Sequence, residues 1–140
     1  MNWINDLVAI GNYLEAQNAT FLSQNRFRSV LSLDGTLSKH DPEDLGLEDI
    51  VAFDLKDGPG NDPVTFRRAV MSLAELVTNS PPVLVQCHAG RSRSVIVVAG
   101  YLILSLKIRP IDAVAMIASK REINISQGLD DLLSALWLFV

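Results

Sequence analysis

Val83-Leu84-Val85-Gln86-Cys87-His88-Ala89-Gly90-Arg91-Ser92-Arg93-Ser94 passes from an apolar triplet through a short polar loop into the apolar run 95–106. The triplet follows two prolines and shows no polar alternation, as a central strand covered on both faces should. The run 94–106 is apolar on nearly every side and reads as a core helix, too short for the roughly 20 residues that span a bilayer. Strand, tight polar loop and buried helix together make one half of an α/β unit.

Outward from this stretch the same alternation continues. Residues 7–10, ending at Gly11, form a plausible first strand. Residues 27–33 stop at the turn signal Asp34-Gly35, and residues 50–55 run into Asp57-Gly58-Pro59-Gly60. Phe66, Val70, Leu73, Leu76 and Val77 fall at helical spacing after Asp62-Pro63, a natural cap and first-turn proline. A further helix is predicted over 110–120, with Ile111, Val114 and Ile117 on one stripe. The last runs from about Gly128 and brings Leu129, Leu132, Leu133, Leu136 and Trp137 together. The acidic segment 41–49 reads as a solvated loop with a short helix, and Trp3, Trp137 and the methionines as packing residues. The expected architecture is a single α/β domain over residues 1–140, its central, mostly parallel sheet of four to five strands covered by helices on both faces.

Bulk properties narrow the function. A length of 140 residues suits one domain, and 49% hydrophobic with 20% charged residues is ordinary for a globular chain. A net charge of −4 supplies no broad basic face, which argues against a nucleic-acid binder but leaves room for a local anion pocket. One cysteine excludes an intramolecular disulfide and a cysteine-rich metal site, and points to a reducing compartment such as the cytoplasm. The N-terminus lacks the basic start and apolar core of a signal peptide. No metal or cofactor is called for.

The loop's chemistry follows from its place. Cys87 and the residues after it sit where a strand ends and a helix begins, the ligand-binding end of an open α/β sheet. Backbone N–H groups of His88, Ala89, Gly90, Arg91 and Ser92 can form an anion nest there, reinforced by the helix's positive end. Gly90 permits the required backbone angles, and the same field lowers the thiol pKa. Arg93 can grip two phosphoryl oxygens with its planar fork, and Ser94 is placed to hydrogen-bond the sulfur. A lone cysteine is more often a small buried hydrophobe, but two arginines and two serines around it in eight residues reverse that reading. No lysine lies in the loop and no nucleotide P-loop motif occurs.

These residues resemble the protein tyrosine phosphatase superfamily, specifically its small dual-specificity branch with the signature Cys-x5-Arg followed by Ser or Thr. The likeness extends over nearly the whole chain, through residues 7–11 with Ala16, residues 27–33 and residues 110–121. The loop's position at 87 separates it from the low-molecular-weight phosphatases and arsenate reductases, which carry it near the N-terminus. The resemblance implies attack by Cys87 on phosphorus and a phosphocysteine, with an aspartate some thirty positions earlier as general acid. Asp57 and Asp54 both fit; Asp57 is preferred because it opens the Gly/Pro turn, while Asp54 belongs to the strand or its end. His88 is expected at the pocket rim. One departure is visible: Gln86 stands where the family usually has histidine, and cannot carry charge.

The expected partner is a phosphorylated protein, with a phosphoinositide or small phosphoester as alternatives, and the chain is expected to act as a monomer. The competing reading is a catalytically silent phosphate-binding pseudophosphatase that serves as a docking module. Reversible oxidation of Cys87 would be a side reaction, since no second cysteine can resolve it.

Overall fold

The computed structural model describes residues 1–138. Its elements are β1 (Asn2–Trp3), β2 (Val8–Gly11), α1 (Tyr13–Ala16), α2 (Ala19–Gln24), β3 (Ser29–Ser32) and β4 (Asp49–Ala52), then α3 (Pro63–Asn79) and β5 (Val83–Gln86). Helices α4 (Arg93–Leu106), α5 (Pro110–Ala118) and α6 (Asp130–Trp137) complete the chain, and a 3-10 helix at Pro42–Leu45 precedes β4. The strands form one five-stranded sheet in the order β1-β2-β5-β3-β4, all parallel except β1 against β2. The α/β architecture is therefore as the sequence implies, with β5 at the centre.

Strand alternation divides the core between the two faces. Ile10, Leu31 and Val85 point toward α3, α4, α5 and α6, while Ala9, Val30 and Leu84 meet Ala16, Leu22, Leu37, Leu45 and Leu47 on the other side. Helix α4 is the most enclosed element, buried from Ser94 to Gly100 and again at Leu102 and Ile103. Gly100 lets it lie close to its neighbours: a Cβ there would come within 2.8 Å of Val70 Cγ2 and 3.1 Å of Leu136 Cδ2.

The register explains where a site can form. Gly11 pairs with Gln86, Gln86 with Ser32, and Ser32 with Ala52, so four parallel strands end at one level. The segments leaving them share one sheet edge: the turn into α1, the loop 87–92, the turn at Asp34 and the connection toward Asp57. This is the carboxyl end of the strands, where ligands of open α/β sheets bind.

Several local expectations are revised. Strand β1 and the short helices α1 and α2 have no counterpart in the periodicity reading. They are two to six residues long, below the length at which a repeat declares itself, and the helices are set by the caps Asn12 and Asn18 instead. The strand expected over 50–55 leaves the ladder at Ala52. Ile111 is 70% exposed rather than part of the α5 stripe; it sits beside the first-turn Pro110, and the buried face runs through Ala113 and Ile117. Trp3 is partly exposed and stacks on Phe27 at 5.0 Å. No helix among the described residues is long and apolar enough to cross a membrane.

Candidate active site

Cys87 is the first residue beyond β5, and its side chain is buried at 2% exposure. Its Sγ lies 3.1 Å from Ser94 Oγ in the first turn of α4. Between them the chain makes a tight loop whose turning point is Gly90, with φ +70°. A Cβ at Gly90 would stand 2.7 Å from the Gly11 carbonyl oxygen and 3.0 Å from an Arg121 guanidinium nitrogen, so no other residue fits without displacement.

The loop's carbonyls are tied outward. Tyr13 N–H donates to the His88 carbonyl at 3.1 Å and Asn124 N–H to the Arg91 carbonyl at 2.8 Å. In a trans peptide the next N–H points opposite its carbonyl. The N–H groups of Ala89 and Ser92 therefore face away from those outer partners, toward the loop's concave side, as an anion nest needs. A cavity of about 230 Å³ lies over this side, lined by Asp57, Cys87, His88, Ala89, Arg91, Ser92, Arg93, Asn124 and Ser126.

Arg93 begins α4, and its Nη1 donates to the Leu55 carbonyl at 3.1 Å. Its Nε is buried with no hydrogen-bond partner among the described residues, a donor that a phosphoryl oxygen would satisfy. His88 is exposed at the rim, its ring stacked on Tyr13 with centroids 4.4 Å apart and planes 8° from parallel.

Asp57 and Asp54 part company here. Asp57 lines the cavity, and its Oδ1 accepts from Ser126 Oγ at 2.6 Å. That bond, with help from Ser92 and the charge of Arg93, outweighs partial burial and holds the carboxyl below its ordinary pKa. Asp54 is absent from the cavity lining; it bridges to Asp34 and lies beside Gly35. Asp62 caps α3, accepting from Val64 N–H at 3.0 Å.

Gln86 is fully buried, and its Nε2 donates both to Asp34 Oδ1 at 2.7 Å and to the Cys87 carbonyl at 3.1 Å. Burial pushes the Asp34 carboxyl up, but hydrogen bonds from Gln86 and Thr36 and the charge of Arg93 bring it below its ordinary value. The position where the family resemblance leads one to expect histidine is thus an uncharged amide anchored on a carboxylate.

The family described as "Dual specificity phosphatase, catalytic domain" matches residues 8–134. The chain belongs to the dual-specificity phosphatase family. Human DUSP28 superposes with a TM-score of 0.85 at 18% identity, covering 99% of this chain and 96% of that one. The human tyrosine phosphatase-like serine/threonine/tyrosine-interacting protein gives 0.83 at 21% identity, with 99% and 96% coverage. The Yvh1 phosphatase domain from Chaetomium thermophilum gives 0.81 at 22%, with 99% and 95%. At these identities the likeness shows the fold. No curated protein sequence matches significantly.

Of the residues singled out from the sequence, Cys87, His88, Ala89, Arg91, Ser92, Arg93 and Asp57 line one cavity, while Gly90 and Ser94 lie outside its lining. Tyr13, Asp34, Asn124 and Ser126 were not singled out. Each lies outside any motif, and only tertiary contact brings it to the loop.

Proposed function

We propose that this phosphatase-family chain hydrolyses phosphomonoesters through a phosphocysteine on Cys87, and that phosphotyrosine and phosphoserine/threonine in proteins are its substrates. The observation that carries the reading is the convergence of Cys87, Arg93 and Asp57 on one cavity. The Cys87 thiolate forms the S–P bond as the ester O–P bond breaks, and Asp57 gives its proton to the departing oxygen. Water then forms the new O–P bond, its proton passes to Asp57, and the sulfur leaves. Arg93 and the loop N–H groups hold the equatorial oxygens on which charge gathers. Ser94, at 3.1 Å, stabilises the sulfur as an anion both before attack and on departure. A nucleophilic thiol works only while reduced, which fits a reducing compartment such as the cytoplasm.

The test uses purified protein with a chelator and an aryl phosphate. Wild type should release phosphate, acid quench should trap a phosphocysteine, and Cys87→Ser should abolish both. Turnover that survives Cys87→Ser overturns the assignment. The silent docking reading draws its support from Gln86, which cannot supply the charge that a histidine could. It predicts phosphopeptide binding by wild type with no phosphate release.

A further inference from the structure

The segment after α5 touches both halves of the site. Asn124 N–H donates to the Arg91 carbonyl at 2.8 Å, and Ser126 N–H donates to Ser92 Oγ at 2.9 Å. Ser92 Oγ in turn donates to Ser126 Oγ at 3.2 Å, and Ser126 Oγ donates to Asp57 Oδ1 at 2.6 Å. The hydroxyls form a directed chain: each gives its proton onward, and the chain ends on the carboxylate. Two residues later the same segment packs on the acid's own loop, for a Cβ at Gly128 would lie 3.0 Å from Pro59 Cα. Nothing else among the described residues gives Asp57 a side-chain hydrogen bond of this length.

We propose that Ser126 is the positioning residue for Asp57, a strap hydroxyl oriented by Ser92 that sets the acid carboxyl over the phosphate loop. This rests on the reading of Asp57 as general acid. Without such a tie Asp57 would stand on a Gly/Pro-rich connection, exposed and free to swing. With it, the loop that binds phosphoryl oxygens and the loop that protonates the leaving group share one anchor, which is how a short effective distance is maintained.

The tie carries a protonic consequence. The hydroxyl favours ionised Asp57 in the open site. An arriving phosphoryl dianion places like charge beside it and favours the protonated form again, when the proton is needed. The charged or titratable groups lining the cavity with Asp57 are Cys87, His88, Arg91 and Arg93 from the phosphate loop, of which Arg93 acts on its carboxyl through charge; Lys56 and Asp62 are the nearest along its own connection. The strap residues 124–128 carry no charge, so removing the Ser126 hydroxyl deletes its bond to Asp57 and the one it accepts from Ser92, and no Coulomb partner.

The experiment compares wild type, Ser126→Ala, Ser126→Thr and Asp57→Asn on an alkyl phosphate and on p-nitrophenyl phosphate. Ser126→Ala should lower kcat roughly tenfold on the alkyl ester, the scale of one charge-assisted hydrogen bond, and leave the aryl ester within about twofold. Its alkaline limb of kcat/KM should move to higher pH, because a carboxyl relieved of that bond has a higher pKa. Ser126→Thr keeps the hydroxyl and should behave as wild type. Asp57→Asn should lose about 10² or more on the alkyl ester, with no further loss on adding Ser126→Ala. NMR titration of the Asp57 carboxyl reads the same upward shift even in a chain without turnover. An unmoved carboxyl titration and unchanged leaving-group dependence in Ser126→Ala overturn this proposal. Absence of any leaving-group effect in Asp57→Asn overturns instead the acid assignment on which it rests.

Discussion

Gly90 shows how a single position decides whether the loop exists. Its φ of +70° is costly for any residue with a Cβ, about 1–2 kcal/mol, and the added atom would also meet the Gly11 carbonyl at 2.7 Å. That carbonyl belongs to β2, which is hydrogen-bonded to β5 and cannot retreat alone. Gly90→Ala should therefore displace the loop rather than the sheet. Steady-state kinetics should show kcat/KM down by about 10² or more, since a shift of about 1 Å at the reacting centre is worth that much. Urea denaturation should show a loss of only about 1–3 kcal/mol. A variant with near-normal kcat/KM would mean that the loop tolerates another path. At this scale the sequence was informative because the loop's parts are consecutive: Cys87, Gly90, Arg93 and Ser94 lie within eight residues. Ser126 was not legible, since a serine 34 positions beyond Ser92 has no pattern until the fold brings them together.

Elements were legible in proportion to their length and burial. Helices α3 and α4, of 17 and 14 residues, declare themselves by periodicity and by continuous apolarity. The four-residue parallel strands are marked by their flanking turns, and their ends shift by one to three residues because the ladder stops where the neighbouring strand does. Ile111 misled because the stripe's spacing does not say how far along the helix the core reaches: Val114 and Ile117 pack against it, while Ile111 in the first turn is exposed. Gly100 was silent in the sequence but fixes how closely α4 approaches α3 and α6. Alanine there would gain about 0.5–1 kcal/mol of helix propensity and, against it, force Val70 and Leu136 outward. Overpacking of this kind costs about 1–3 kcal/mol, so the net sign is destabilising. Gly100→Ala should lower the urea midpoint without changing the slope. A raised midpoint would show that the α3/α4 contact is looser than 2.8 Å implies.

At the scale of the molecule, the site depends on four strands ending at one level, and oxyanion binding reports whether that arrangement is intact. A phosphate mimic such as tungstate should bind the folded loop and not the unfolded chain, and so stabilise by mass action: about 2.7 kcal/mol at a hundred times its Kd. For a domain of this size that is roughly 8–11 °C in Tm. Cys87→Ser should keep the shift, because it leaves the loop's N–H groups and the Arg93 guanidinium in place. Arg93→Lys should lose most of it, because an ammonium cannot reproduce the paired contact and leaves the Leu55 carbonyl without its donor. A full shift in Arg93→Lys would place the anion's main contacts elsewhere. The melt addresses the cradle alone, since an enzyme and a silent docking module both bind the anion. Only the release of phosphate, set beside the same Arg93 variant, separates a loop that holds a phosphoryl group from one that transfers it.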